Sequence, residues 1–170
     1  MKSEPTSLVR GRPPLAIRAA RFEDVAPVLR LVHGAIERDC RDHYDALQRE
    51  AVFSVYASNL FVDVVGAFDS LVAELDGRLV GFAQLDRPRG QLRALFVDAE
   101  SQRRGIGRAL LAAIEARVAR HGGRSLRGAM SLNAVPFYAN AGFRARGPVE
   151  ALSAAGVSVP IVQMEKRLAA

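Results

Sequence analysis

The sequence predicts a mixed α/β fold, on three observations. Strand-like alternation and helical periodicity interleave along the whole chain. Asp76-Gly77 sits between two strand-like runs, which marks an antiparallel hairpin. The run from Leu92 to Arg120 reads as a strand, a glycine-bearing turn and an amphipathic helix. At 170 residues the chain fits one domain, expected over 15–170 after a flexible segment at 1–14. A domain of this size hides roughly two-thirds of its unfolded surface.

The elements follow in order. Leu15–Arg18 alternates as a first strand. Val25, Val28, Leu29, Val32 and Ile36 then recur at spacings of three and four, which puts one apolar stripe on a helix. Glu23 and Asp24 fall in its first turn, where acids favour the helix dipole. Asp39–Asp45 is polar and irregular. Ala46–Ala67 contains a second helix whose end is ambiguous, because Leu60–Val65 also suits a strand. Leu71–Leu75 and Arg78–Leu85 form the hairpin, and Gly81 within it marks a bulge or a close backbone approach. Pro88 lies in a loop over Asp86–Gly90, and Gln91–Val97 is the next strand. In the helix over Gly105–Arg120, Ile106, Leu110, Leu111, Ile114 and Val118 share one face. Arg108, Glu115 and Arg120 point away from it, and Arg117 lies at its edge. His121-Gly122-Gly123 stops the helix. Ser125–Met130 is a further strand. Ala134–Asn140 is a short helix with Ser131 or Asn133 as its cap and Gly142 at its left-handed end. Extended structure resumes at Phe143, with a final strand over Ile161–Leu168.

Composition narrows the function classes. Hydrophobic residues make up 49% and charged residues 25%, as in ordinary globular proteins. No apolar run reaches the roughly 18–20 residues that cross a bilayer, and Met1–Pro14 lacks a signal-peptide core, so a cytoplasmic location without a membrane partner is expected. One cysteine, Cys40, allows no disulfide framework and no cysteine-based metal site. No histidine pattern pairs with it, so it reads as an incidental thiol. The net charge of +6 invites a nucleic-acid reading. The cations argue against it: all but Lys2 and Lys166 are arginines, scattered from Arg10 to Arg167 without a dense aromatic-basic block. No nucleic-acid partner is expected.

The chemistry concentrates after the strand at Leu92–Val97. A glycine-bearing turn at a helix start exposes unpaired amides, and together with the helix dipole these suit a phosphate. Gly105 and Gly107 let the backbone approach a ligand, and Arg103, Arg104 and Arg108 add charge. Two phosphate-binding patterns fail on spacing. Gly107 is followed by Arg108 where a Walker A loop needs Lys, and Leu110 stands where a dinucleotide fingerprint needs its third glycine.

The run Gln102-Arg103-Arg104-Gly105-Ile106-Gly107 resembles the Gln/Arg-x-x-Gly-x-Gly/Ala motif of the GNAT superfamily of N-acetyltransferases. Leu95-Phe96-Val97-Asp98 looks like the strand that precedes it. Asn133-Ala134-Val135-Pro136-Phe137-Tyr138, with Gly142-Phe143, looks like that family's second signature. The resemblance is strongest from Leu71 to Phe143. It implies a central mixed, mostly antiparallel sheet flanked by helices. It also implies an acyltransferase that uses acetyl-coenzyme A as acyl donor and a small-molecule or peptide amine as acceptor. A homodimer is compatible with it. The backbone of Leu95, Phe96 and Val97 would bond the pantetheine arm. The amides from Arg103 to Arg108 (Arg103, Arg104, Gly105, Ile106, Gly107, Arg108) would hold the pyrophosphate. Asn133 would contact the cofactor or cap the short helix. Tyr138 would protonate the leaving thiolate, against the alternative of a core aromatic with a satisfied hydroxyl. Val97 N–H would stabilise the oxyanion. Glu74, Glu37 and His43 are the candidate general bases, beside a base relayed through water. Glu37–Asp45, with His43 and Tyr44, falls where the family places its acceptor pocket. The rival readings are a non-catalytic acyl-coenzyme A sensor and a basic nucleic-acid binder.

Overall fold

The computed structural model describes residues 14–62 and 68–169, so most of the expected N-terminal segment and the 63–67 part of the ambiguous stretch lie outside the described residues. The described residues form eight strands, β1 (Leu15–Ala19), β2 (Asp69–Leu75), β3 (Arg78–Asp86), β4 (Gln91–Val97), β5 (Ser125–Ser131), β6 (Arg144–Ala145), β7 (Glu150–Ala154) and β8 (Val157–Arg167). They form one sheet in the order β1-β2-β3-β4-β5-β8-β6, with β7 also pairing β8. Every pairing is antiparallel except β4 with β5. Among the described residues four α-helices accompany the sheet: α1 (Val25–Asp39), α2 (Ala46–Val62), α3 (Ile106–Arg120) and α4 (Val135–Asn140). The stretch from Leu60 is thus helical as far as Val62.

Local chemistry sets several of these elements. The β2–β3 turn has φ of 52° at Asp76 and 73° at Gly77, as a type I′ hairpin requires. Beyond it, Ala73 pairs with Gly81 and Glu74 with Leu79, so Val80 is an extra residue and the strand bulges. Gly81 also meets α3 closely: a Cβ there would lie 2.8 Å from Leu110 Cδ1. Both expectations for Gly81 therefore hold at once.

Side chains alternate across the sheet and build two apolar layers. Leu71, Ala73 and Ala83 face α3, whose buried residues are the five of the expected stripe. Burial of each such side chain contributes roughly 1.5–3 kcal/mol. Val72, Phe82 and Ala94 face the opposite way, against Val28, Val32 and Ile36 of α1. A third cluster joins Cys40, Tyr44 and Ala51 to Ala154, Val159 and Ile161, fixing the α1–α2 corner onto β7 and β8.

Polar contacts tie the α1 entrance to the sheet. Asp24 is buried and accepts from Arg18 Nη1 at 2.7 Å, while Arg18 also bonds Glu74. The Arg18 guanidinium holds the Asp24 carboxyl below its ordinary range. Glu23 and Asp24 lie in a 3-10 turn, Phe22–Asp24, ahead of α1 and not in its first turn as expected, and Asp24 is engaged by Arg18 instead. Its ion pair stabilises the fold at neutral pH and is lost only as pH falls through that lowered value.

Two expectations about local structure are corrected. A 3-10 turn over Leu132–Ala134 precedes α4, whose cap residue is Ala134, and neither Ser131 nor Asn133 caps with its side chain. The Asn133 Oδ1 atom instead faces Cys40 Sγ at 3.4 Å. The final strand begins at Val157, four residues earlier than expected, because β7 folds back on it through Ala155-Gly156.

Candidate active site

The site is built where the sheet opens. The parallel strands β4 and β5 pair only at Gln91 and Arg127. There the chains approach closely: a Cβ on Gly128 would lie 2.8 Å from the Leu92 carbonyl oxygen. Beyond that point β4 remains paired to β3 alone. A second irregularity lies in β4, where Leu92 pairs with Leu85 and Ala94 with Gln84, leaving Arg93 as an extra residue.

This register decides which amides are open. Asp98 N–H donates to Val80 O at 2.8 Å, so Asp98 faces β3. Backbone direction alternates along a strand, so Phe96 also turns its amide to β3. Leu95 and Val97 turn theirs to the opened edge. Of the three strand residues expected to bond a ligand through their backbone, two present amides there.

The glycine-bearing turn lies beside that edge. Arg103 and Gly105 have φ of 58° and 82°, with Arg104 at negative φ between them. Alternation of this kind gathers N–H groups into a concavity that suits anions. Ala109 N–H donates to Gly105 O, and the amides of Ile106, Gly107 and Arg108 before it have no backbone partner among the described residues. The helix dipole adds to their positive end. A Cβ at Gly105 would meet nothing within 4 Å, which leaves room for a ligand against the backbone. The Gln102 side chain is engaged elsewhere. Its Nε2 donates to Asp39 Oδ2 at 2.7 Å and ties the turn to the end of α1. Arg104 is exposed and lies off the cavity wall, whereas Arg103 and Arg108 line it.

Two cavities flank the opened edge. The larger, about 810 Å³, runs along Leu95–Val97, the turn at Gln102–Arg108, Asn133 and Phe137. The smaller, about 390 Å³, lies between α1, α2 and the strands β4, β5, β7 and β8. They share Cys40, Leu95, Phe96, Ser131, Ala134 and Tyr138. Tyr138 is buried, with its ring edge-on to Phe137 and Phe143 at 5.1 and 5.3 Å. Its hydroxyl makes no hydrogen bond to another described residue, so the satisfied-core alternative does not describe it. Burial pushes its pKa well above that of an ordinary phenol, with nearby Tyr56 adding to the effect.

The other candidates separate cleanly. Tyr44 is buried in the wall of the smaller cavity, donating to Pro160 O and accepting from Leu132 N–H, both at 2.7 Å. His43 is exposed and Glu74 is engaged by Arg18, and neither lines either of these two cavities. Glu37 is off the wall too, but it bonds Arg49, which is on it. Among the described residues, no carboxylate and no histidine lines the smaller cavity.

Sequence reasoning passed over Cys40 and Ser131. Cys40 follows the last turn of α1 at the helical spacing from Val32 and Ile36, which was the available signal. Burial, with Asp39 adding to it, pushes its thiol up to about 11, so it stays protonated at neutral pH and is no nucleophile.

Comparison with known proteins agrees with this geometry. A family model described as an acetyltransferase (GNAT) domain matches residues 38–168. The fold superposes on a GCN5-related N-acetyltransferase from Rhodopseudomonas palustris with a TM-score of 0.84 and 29% identity, covering 95% of this chain and 99% of that one. It also superposes on the PaiA N-acetyltransferase from Thermoplasma acidophilum, solved with coenzyme A (TM-score 0.75, 22% identity, 91% of this chain and 99% of that one). A third match is the ribosomal-protein-S18-alanine N-acetyltransferase from Escherichia coli (TM-score 0.65, 18% identity, 91% and 94%). No curated protein sequence matches the chain. The family match spans most of the sequence and both signature motifs, and the chain therefore belongs to the GNAT acetyltransferase family and is an acyltransferase.

Proposed function

We propose that the protein moves the acetyl group of acetyl-coenzyme A to a primary amine of a small-molecule or peptide acceptor, by direct attack of that amine on the thioester. The observation that carries this reading is the meeting of the two cavities at Tyr138 and the open edge of β4. Each substrate has its own approach, and the reacting atoms come together at the shared wall.

The larger cavity fits the donor. Amides of Ile106, Gly107 and Arg108 meet the pyrophosphate, with Arg103 and Arg108 supplying charge. Leu95 and Val97 bond the pantetheine arm as a neighbouring strand would. Asn133 contributes from the same wall. Attack by the neutral amine forms a C–N bond and moves the carbonyl electrons onto oxygen, where Val97 N–H stabilises the oxyanion. Collapse breaks the C–S bond and leaves a thiolate. Tyr138, kept protonated by its raised pKa, donates to that sulfur, and the proton lost by the attacking amine restores the balance. With no carboxylate or imidazole among the described residues of the acceptor wall, the amine loses its proton to water. The reading includes a cytoplasmic location; a homodimer is an assembly to be tested by sedimentation.

Coupled product analysis tests the reading. Free thiol released from acetyl-coenzyme A is expected to match N-acetylated amine mole for mole. Tight acetyl-coenzyme A binding with no thiol release from any primary amine would make the protein a sensor instead.

A further inference from the structure

The acceptor cavity has an electrostatic character that the family membership does not supply. Among the described residues that line it, the charged ones are Arg49 and Arg93, with no acid. Arg49 is fixed in place: its side chain is 14% exposed, Nη1 donates to Tyr44 O at 2.7 Å and Nε lies 3.3 Å from Glu37. Nη2 has no partner among the described residues. Glu37 holds Arg49 from outside the cavity wall. At the shared wall Arg49 opposes the upward shift of the Cys40 thiol, to which burial, Asp39 and Glu37 contribute. Arg93 likewise acts on the Tyr56 hydroxyl, and its guanidinium lies 4.5 Å from the centre of the Phe68 ring. The rest of the wall is mainly apolar, with Val52, Val55, Met130 and Ile161. At about 390 Å³ it stands near the small end of ligand pockets.

Resting on the acetyl-transfer reading, we infer that the acceptor is a small, largely apolar amine bearing an anionic group such as a carboxylate, held by Arg49 while the amine reaches Tyr138. A polycationic amine meets two arginines and, among the described wall residues, no acid, so the pocket discriminates against it. A guanidinium held by other bonds and presenting a free Nη2 suits a carboxylate, because little side-chain freedom remains to be lost.

Matched amines test this without assuming the spacing between amine and anion. L-Phenylalanine is paired with phenethylamine, and 6-aminohexanoate with pentylamine; spermidine is the polycation. In at least one pair the carboxylate-bearing amine is expected to have a kcat/KM ~10-fold or more above its neutral partner, as a charge-assisted bond provides. Spermidine is expected to fall below both neutral amines. Arg49→Met should raise KM for the carboxylate-bearing amine toward that of its partner and lower kcat/KM for the partner far less, while Arg49→Lys restores part of the preference. Equal kcat/KM within both pairs, or spermidine ranking first, overturns the inference. So does an equal loss on both amines in Arg49→Met, which would make Arg49 a wall residue only. Failure of acetyl transfer reads differently. If no amine is turned over, binding of N-acetyl-L-phenylalanine to the coenzyme A-loaded protein, abolished in Arg49→Met, keeps the anion site and removes only the transferase reading; no binding removes both.

Discussion

Tyr138→Phe is expected to lower kcat by at least ~100-fold, the lower end of what a positioned general acid supplies. The dissociation constant for acetyl-coenzyme A should stay nearly unchanged. The substitution deletes one oxygen and keeps the ring, so the edge contacts with Phe137 and Phe143 survive. No hydrogen bond within the described chain is lost, and the hydroxyl is not a buried unpaired group. The variant should be about as stable as the parent, so a rate loss cannot be a folding loss. Rapid single-turnover mixing with acetyl-coenzyme A and amine reads the chemical step. An unchanged rate would take Tyr138 out of the mechanism and return it to the core.

The second large effect lies at the phosphate cradle. Gly105→Asp is expected to weaken acetyl-coenzyme A binding by roughly 30- to 100-fold, the cost of like charges brought together. Gly105→Asn should weaken it far less. Position 105 has φ of 82°, a left-handed conformation that Asn and Asp tolerate better than other non-glycine residues. A Cβ there meets no protein atom within 4 Å, so either side chain enters the space reserved for the ligand. The two variants share shape and backbone cost and differ in charge. Calorimetric titration with acetyl-coenzyme A measures the difference, which should narrow at high salt. Equal weakening by both would mean that Gly105 matters for its shape and that no anion is bound beside it.

What could be read in the sequence was what local chemistry determines. Asp76-Gly77 announced its hairpin because a type I′ turn needs two left-handed residues and that pair supplies them. The β7–β8 hairpin turns the same way, with φ of 45° at Ala155 and 80° at Gly156, yet it went unseen. Alanine has no side-chain oxygen to favour that conformation, so the tertiary pairing imposes it. The α3 stripe was legible because helical periodicity depends on neighbours three and four residues away. The two signatures marked Leu95, Gly105, Gly107 and Tyr138 along one wall. The junction itself was not legible. It depends on where β4 and β5 part, on the close contact of Gly128 with Leu92, and on Cys40 and Ser131, which are distant in sequence and meet only in the fold. The Asn133 cap failed for a related reason: a 3-10 turn moved the helix start past it, and Cys40 became its neighbour.

Initial-rate kinetics with both substrates varied tests direct transfer across the shared wall most closely. In the proposed reading donor and acceptor occupy separate cavities that meet at Tyr138, so both must be bound before the acetyl group moves. Double-reciprocal plots are expected to intersect, and mass spectrometry of the protein incubated with acetyl-coenzyme A alone should show no acetyl adduct required for turnover. Parallel lines together with a kinetically competent acyl-protein would contradict the account.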